Sequence, residues 1–108
     1  AFAALSELRL PPAHPEHTYN QYVLRFPDRV TRDHVQRSLS EADIGTAIYY
    51  PIPLHRQVCF ADVAAGAVCP VADEAAATSL ALPIFAALRE DEQGYVVDSL
   101  RSALRPRG

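Results

Sequence analysis

The stretch IGTAIYYPIPLH, Ile44 to His55, decides how the chain is read. Ile44, Thr46, Ile48 and Tyr50 fall on one face of an extended segment and Ala47 and Tyr49 on the other, which is the period of a strand. Pro51 and Pro53 then lack backbone N–H donors, so the strand must end there. A strand that ends in two tyrosines and Pro-x-Pro-x-His delivers aromatic and imidazole groups to a loop, the place where binding residues concentrate.

Upstream of that stretch, TYNQYVLRF (Thr18–Phe26) is rich in aromatic and β-branched residues, with Tyr22, Leu24 and Phe26 on one face, and reads as a strand. After a turn at PDR, Thr31 reads as the N-cap of a helix. Asp33 lies in its first turn, and Val30 and Val35 stand at the two positions of a hydrophobic staple. Val35, Leu39 and Ala42 make the buried stripe of that helix, which stops around Asp43.

Downstream, PIPLHRQVCFADVAAGAV is a long loop with one helical turn at most, and loops of this length in small domains are often functional. Pro70 suits the first position of a second helix, with Asp73 and Glu74 near its positive end. LALPIF is a third short strand, limited by Pro83. Asp91 to Leu104 is an amphipathic helix with Val96, Val97, Leu100, Ala103 and Leu104 inward. Strands alternating with helices predict an α/β fold: a two-layer sandwich in which a small sheet of about three strands is covered by helices.

The 108 residues suffice for one core of ordinary size. With 49% hydrophobic residues, 21% charged and a net charge of -3, the composition is globular and carries no basic patch, which argues against a nucleic-acid partner. The longest weakly polar run, Ala75 to Leu88, is broken by Thr78, Ser79 and Pro83, and falls short of the roughly 20 residues of a membrane span. Two cysteines are too few for a disulfide scaffold, so a cytoplasmic location is expected. All ten Lys+Arg residues are arginines, and Schiff-base chemistry needs a lysine amine. The sequence lacks Met and opens on AFAALSEL, which reads as the tail of a helix, so a fragment of a longer protein is expected. On this reading residues 1–16 are a helix end and a proline-rich connector, and residues 17–108 a small domain.

HTYNQYVLRF, LSEADIGTAIYYPIPLH, CPVADEAAATSLALPIF and VVDSLRSAL, in that order, resemble the C-terminal part of the DegT/DnrJ/StrS-type sugar aminotransferases, from about Leu10 to Leu104. The resemblance implies the small C-terminal domain of the fold type I aminotransferase architecture. A large domain outside this chain would then hold pyridoxal phosphate on a lysine. It also implies a homodimer that moves an amino group from glutamate to a nucleotide-linked keto sugar, a chain inactive by itself, and an orphaned apolar interface. The alternative is a stand-alone, non-catalytic binding or regulatory module derived from the same fold.

In that family the region around Tyr50 leaves its strand at the mouth of the active site. Tyr50 matches the family tyrosine and His55 the histidine after the prolines, whereas Tyr49 replaces a usual histidine and so cannot carry a proton near neutral pH as imidazole does. Asn20 matches a position close to the domain junction. The resemblance thus makes Tyr49, Tyr50, His55 and Asn20 candidate substrate-binding residues. Each also has a plainer reading: strand aromatics for the tyrosines, a loop residue for His55, a backbone-bonding polar residue for Asn20. Asp43 stands where glycine is common and where a left-handed backbone is expected, and Arg89 replaces a Ser or Thr cap, which predicts a weaker helix start. His14, His17, His55 and Cys59 lack the spacing of a zinc site.

Overall fold

The computed structural model describes residues 8–105. Its elements run β1 (Tyr22–Arg25), α1 (Arg29–Glu41), α2 (Pro70–Thr78), β2 (Ser79–Leu82) and α3 (Glu90–Ala103), with short 3-10 turns at Leu54–Arg56 and Val58–Phe60. The expected helix end at the start of the chain lies outside the described residues.

β1 and β2 pair antiparallel, Tyr22 opposite Leu82 and Leu24 opposite Leu80. Leu24 and Leu80 are fully buried together with Val35 and Leu39 of α1 and Leu100 of α3, so the two long helices cover one face of the sheet. Val96, Ala103, Leu104 and Ala42 pack against the same cluster, as their spacing predicts. Tyr95 donates from its hydroxyl to Ala42 O at 2.8 Å, and the His34 ring bonds Ala103 O at 3.0 Å, fastening α3 to α1 at two further points.

The strand expected over Ile44–Tyr50 contracts to one residue. Ala47 exchanges two backbone hydrogen bonds with Ala81, 3.2 and 2.7 Å long, and no other residue of the 44–50 segment pairs with the sheet. Pro51 and Pro53 lack the N–H donors that further pairing would require. On the other side Arg9 pairs with Arg25 through bonds of 2.9 and 3.0 Å, and Leu8 is buried in the core, so the proline-rich segment is tied to the sheet at its start. β2 ends at Leu82, just before Pro83.

The start of α1 also differs from expectation. The N-cap is Asp28, whose carboxylate accepts from the Thr31 amide at 2.7 Å, and Val30 is 80% exposed and staples nothing. Aspartate in an extended backbone offers a charged acceptor to the first turn, and that outcompetes the hydroxyl of Thr31.

At the other end of α1 the left-handed position falls where expected. Asp43 has φ 61°; its amide bonds Ser40 O at 3.0 Å, and the Ile44 amide bonds Leu39 O at 2.9 Å. These are the two bonds of a Schellman motif, and the Ile44–Leu39 apolar contact that accompanies the motif is in the core. The helix end therefore aims the chain along the sheet toward Ala47.

Arg32, on the buried stripe of α1, is only 5% exposed. Its Nη1 donates to Ala76 O at 3.1 Å and Ser79 O at 3.0 Å, and its Nε to Asp33 at 2.7 Å. One guanidinium thus satisfies carbonyls at the end of α2 and the start of β2, where helical bonding runs out. The start of α3 is weakly capped, as expected: Glu92 accepts from the Arg89 amide at 3.2 Å, but a guanidinium has no acceptor with which to reciprocate.

Candidate functional site

Asn20 and Tyr49 line one cavity of about 350 Å³, together with Gln21, Thr46 and Phe85. Each is brought there by an element just described. Tyr49 follows the Ala47–Ala81 pair, Thr46 follows the Schellman turn, and Phe85 follows the Pro83 stop of β2. Asn20 follows Tyr19, which sits in the left-handed region at φ 50°. That conformation costs roughly 1–2 kcal/mol for a residue with a Cβ. It is held by His17, whose Nδ1 accepts from the Tyr19 amide at 2.9 Å and whose ring stacks on Tyr19 with centroids 4.0 Å apart. Tyr19 stacks in turn on Tyr22 at 6.0 Å. Burial pushes the Tyr22 phenol above its ordinary pKa, with Tyr19 adding to the shift, so this hydroxyl stays protonated.

Tyr50 is 69% exposed and meets Tyr49 edge-on, ring centroids 5.8 Å apart. Strand alternation would send the two rings to opposite sides. Sheet pairing stops at Ala47, so nothing enforces alternation two residues later, and the rings touch.

His55 lies apart from this cavity, in the first 3-10 turn, with its side chain 10% exposed. Its Nε2 is 3.3 Å from Asp73 Oδ1 but is not aligned for a hydrogen bond. Asp73, in the first turn of α2, is gripped by Arg56 on both oxygens, Nε at 2.6 Å and Nη2 at 2.9 Å. That hydrogen bond holds the Asp73 carboxyl below the usual range, its charge and that of His55 adding to the effect, and it raises Arg56 in return. The structure thus brings Asn20 and Tyr49 together, sets Tyr50 beside them, and places His55 on a clasp between the 50–57 segment and α2. Sequence reasoning missed Gln21, Thr46 and Phe85 in the cavity and Arg56 in the clasp. Asp73 was legible only as a favourable charge at a helix start.

The donor set does not fit pyridoxal phosphate as a group held by this chain. There is no lysine to bond it, and no cationic side chain lines the cavity to meet a phosphate. Among the described residues no group of three or more His, Cys, Asp or Glu is placed to hold a metal ion, and no helix is long and apolar enough to cross a membrane.

The same small helix-covered sheet occurs in solved sugar aminotransferase structures. The S. venezuelae DesV structure in complex with a ketimine intermediate superposes with a TM-score of 0.86 at 28% identity, over 97% of this chain and 29% of that one. Among curated proteins, the pleiotropic regulatory protein of Geobacillus stearothermophilus is 40% identical over 82% of this chain and 23% of its own length. The UDP-N-acetyl-3-dehydro-alpha-D-glucosamine 3-aminotransferase of Acidithiobacillus ferrooxidans is 38% identical over 91% of this chain and 26% of its own. The model of the DegT/DnrJ/EryC1/StrS aminotransferase family matches residues 1–101. The chain belongs to that family, and it spans about a quarter of the length of the curated relatives it matches.

Proposed function

We propose that this chain is the substrate-covering small domain of an aminotransferase that moves an amino group from glutamate to a nucleotide-linked keto sugar. The observation that carries the reading is the cavity shared by Asn20 and Tyr49, in a chain whose relatives include a nucleotide-sugar 3-aminotransferase. Amides and a phenol are the donors and acceptors that sugar hydroxyls need, and an aromatic face covers the apolar side of a pyranose. Tyr49 and Asn20 orient the sugar, Tyr50 shields it from water at the rim, and the Arg56–Asp73 clasp beside His55 fixes the segment that carries both tyrosines.

Pyridoxal phosphate, which supplies the amino-group carrier in such transfers, belongs on this reading to a large domain outside the chain, in a homodimeric protein. The absence of lysine supports that assignment. So does the apolar surface left bare beyond Tyr50: Leu54, Val58, Val63, Val68 and Val71 are all exposed, Val58 by 92%, as expected of a face that another body covers.

The test is the mass of the native protein, followed by its absorbance spectrum with pyridoxal phosphate and then glutamate. A parent much heavier than 11.8 kDa with a visible band that responds to glutamate supports the reading. A heavy parent with no such band favours a regulatory role, of the kind named for the Geobacillus relative.

A further inference from the structure

α1 and α3 seal the sheet face of Leu24 and Leu80. Ala47 and Ala81 stand in register on the opposite, open face, and both line the cavity at Tyr49. Asn20 reaches that cavity from a place where the sheet does not hold it. The ladder begins at Tyr22, and among the described residues neither Asn20 nor Gln21 makes a backbone hydrogen bond outside it. Asn20 is also exposed, so core packing does not fix it. Its place depends on the residues on either side: paired Tyr22 after it, and left-handed Tyr19 before it.

Tyr19 is held in two ways. It is the middle ring of a stack, with His17 on one side and Tyr22 on the other, and Tyr22 packs against the hydrophobic core. A stack fixes where the ring lies but leaves the backbone other routes to the same place. The left-handed choice falls to the Tyr19 amide, which donates to His17 Nδ1. Nδ1 is bonded directly to Cγ, as Oδ1 is in asparagine, so the imidazole closes the i to i+2 turn that asparagine and aspartate ordinarily make. His17 is anchored in turn, because its own amide donates to His14 O at 3.0 Å. His17 itself does not line the cavity.

We infer that His17 is a positioning residue: by closing the turn at Tyr19 it sets Asn20 in the substrate cavity. The inference rests on the preceding reading for the nature of the substrate, whereas the coupling from His17 to Asn20 does not depend on it.

The test compares two variants of the intact protein carrying this chain. His17→Phe keeps a ring that can stack and removes the acceptor; His17→Asn restores the acceptor and removes the ring. Exchange of the Tyr19 amide, taken relative to its intrinsic rate, should quicken about three- to tenfold in His17→Phe and return toward wild type in His17→Asn, with both melting temperatures unchanged. Kinetics with glutamate and UDP-N-acetyl-3-dehydro-alpha-D-glucosamine, the sugar named for the Acidithiobacillus relative, supply the second readout. KM for this sugar should rise about three- to tenfold in His17→Phe with kcat nearly level, recover in His17→Asn, and rise no further when His17→Phe is added to Asn20→Ala. A Tyr19 amide that exchanges alike in wild type and His17→Phe overturns the inference. So does a KM rise that His17→Asn fails to recover or that adds in full to that of Asn20→Ala. Exchange that responds as expected, in a protein with no glutamate-responsive band, keeps His17 as the residue that sets Asn20 and removes the aminotransferase reading, so the two failures are distinguishable.

Discussion

Arg56 holds both carboxylate oxygens of Asp73, at 2.6 and 2.9 Å, and so pins the segment that carries Tyr49 and Tyr50 to the first turn of α2. The other anchor of that segment is the Ala47–Ala81 pair. Both partners of the clasp reach solvent, so it contributes little to global stability and acts mainly on local order. Asp73→Asn is therefore expected to raise amide exchange across residues 48–57 while the melting temperature hardly moves. The pH dependence has a definite sign. Asp73's folded pKa is lowered by Arg56, so the clasp's contribution is fully present above the ordinary carboxylate range and is lost as pH falls through the lower folded value. Protection of residues 48–57, taken relative to the intrinsic exchange rate at each pH, should stay constant between pH 7 and 5 and fall only under stronger acid; a loss of protection already complete by pH 5 would overturn this account of the clasp.

Arg32 shows where sequence legibility stopped. The order and type of the elements, the buried stripes of α1 and α3, and the left-handed Asp43 follow from local rules of spacing, capping and glycine-like turns. Arg32 lies on the same stripe, three and seven residues before Val35 and Leu39, yet a charged side chain at such a position ordinarily reads as solvent-facing. Its partners, Ala76 and Ser79, are more than forty residues away, and only the folded chain places their carbonyls together. The strand expected over Ile44–Tyr50 shrinks to the Ala47 bridge for a related reason: alternation is a local property, and pairing depends on whether a neighbour's edge is in reach. The cavity was half legible, because Tyr49 and Asn20 stand out as residue types, whereas Gln21, Thr46 and Phe85 become neighbours only through the turns that join them.

Replacing Arg32 tests that structural role. Arg32→Met keeps the apolar stem but leaves the carbonyls of Ala76 and Ser79 without a donor, and a cost of about 2–4 kcal/mol is expected. Urea unfolding measures it. A loss below 0.5 kcal/mol would mean that water reaches those carbonyls and that the arginine is dispensable.

The N-cap register makes a second stability prediction. Asp28→Ala is expected to lower the melting temperature, because the Thr31 amide loses its acceptor, whereas Val30→Ala should stay within about 0.5 kcal/mol of wild type, since that side chain touches no core residue. The Asp28 carboxyl is held below its usual range by the Thr31 amide, so this stabilisation is present at neutral pH and disappears in acid. Leu39→Ala supplies the scale: the residue is fully buried, and its truncation should cost about 2–5 kcal/mol.

The functional reading is decided at Tyr49 and Asn20. If the cavity holds the sugar, Asn20→Ala in the intact protein removes hydrogen bonds to substrate that are made equally in the ground and transition states. KM for the sugar nucleotide should then rise about three- to tenfold, with kcat nearly unchanged. Tyr49→Phe keeps the aromatic face and loses only the hydroxyl, so a smaller rise is expected, while Tyr49→Ala removes both and should exceed it. Tyr49→His restores a group able to carry a proton near neutral pH, and it should introduce a pH dependence between about pH 6 and 7 that the wild type lacks. Steady-state kinetics over that range distinguishes the roles. A ring that merely covers the sheet would leave KM level across the whole series, and the substrate would have to be sought elsewhere on the open face.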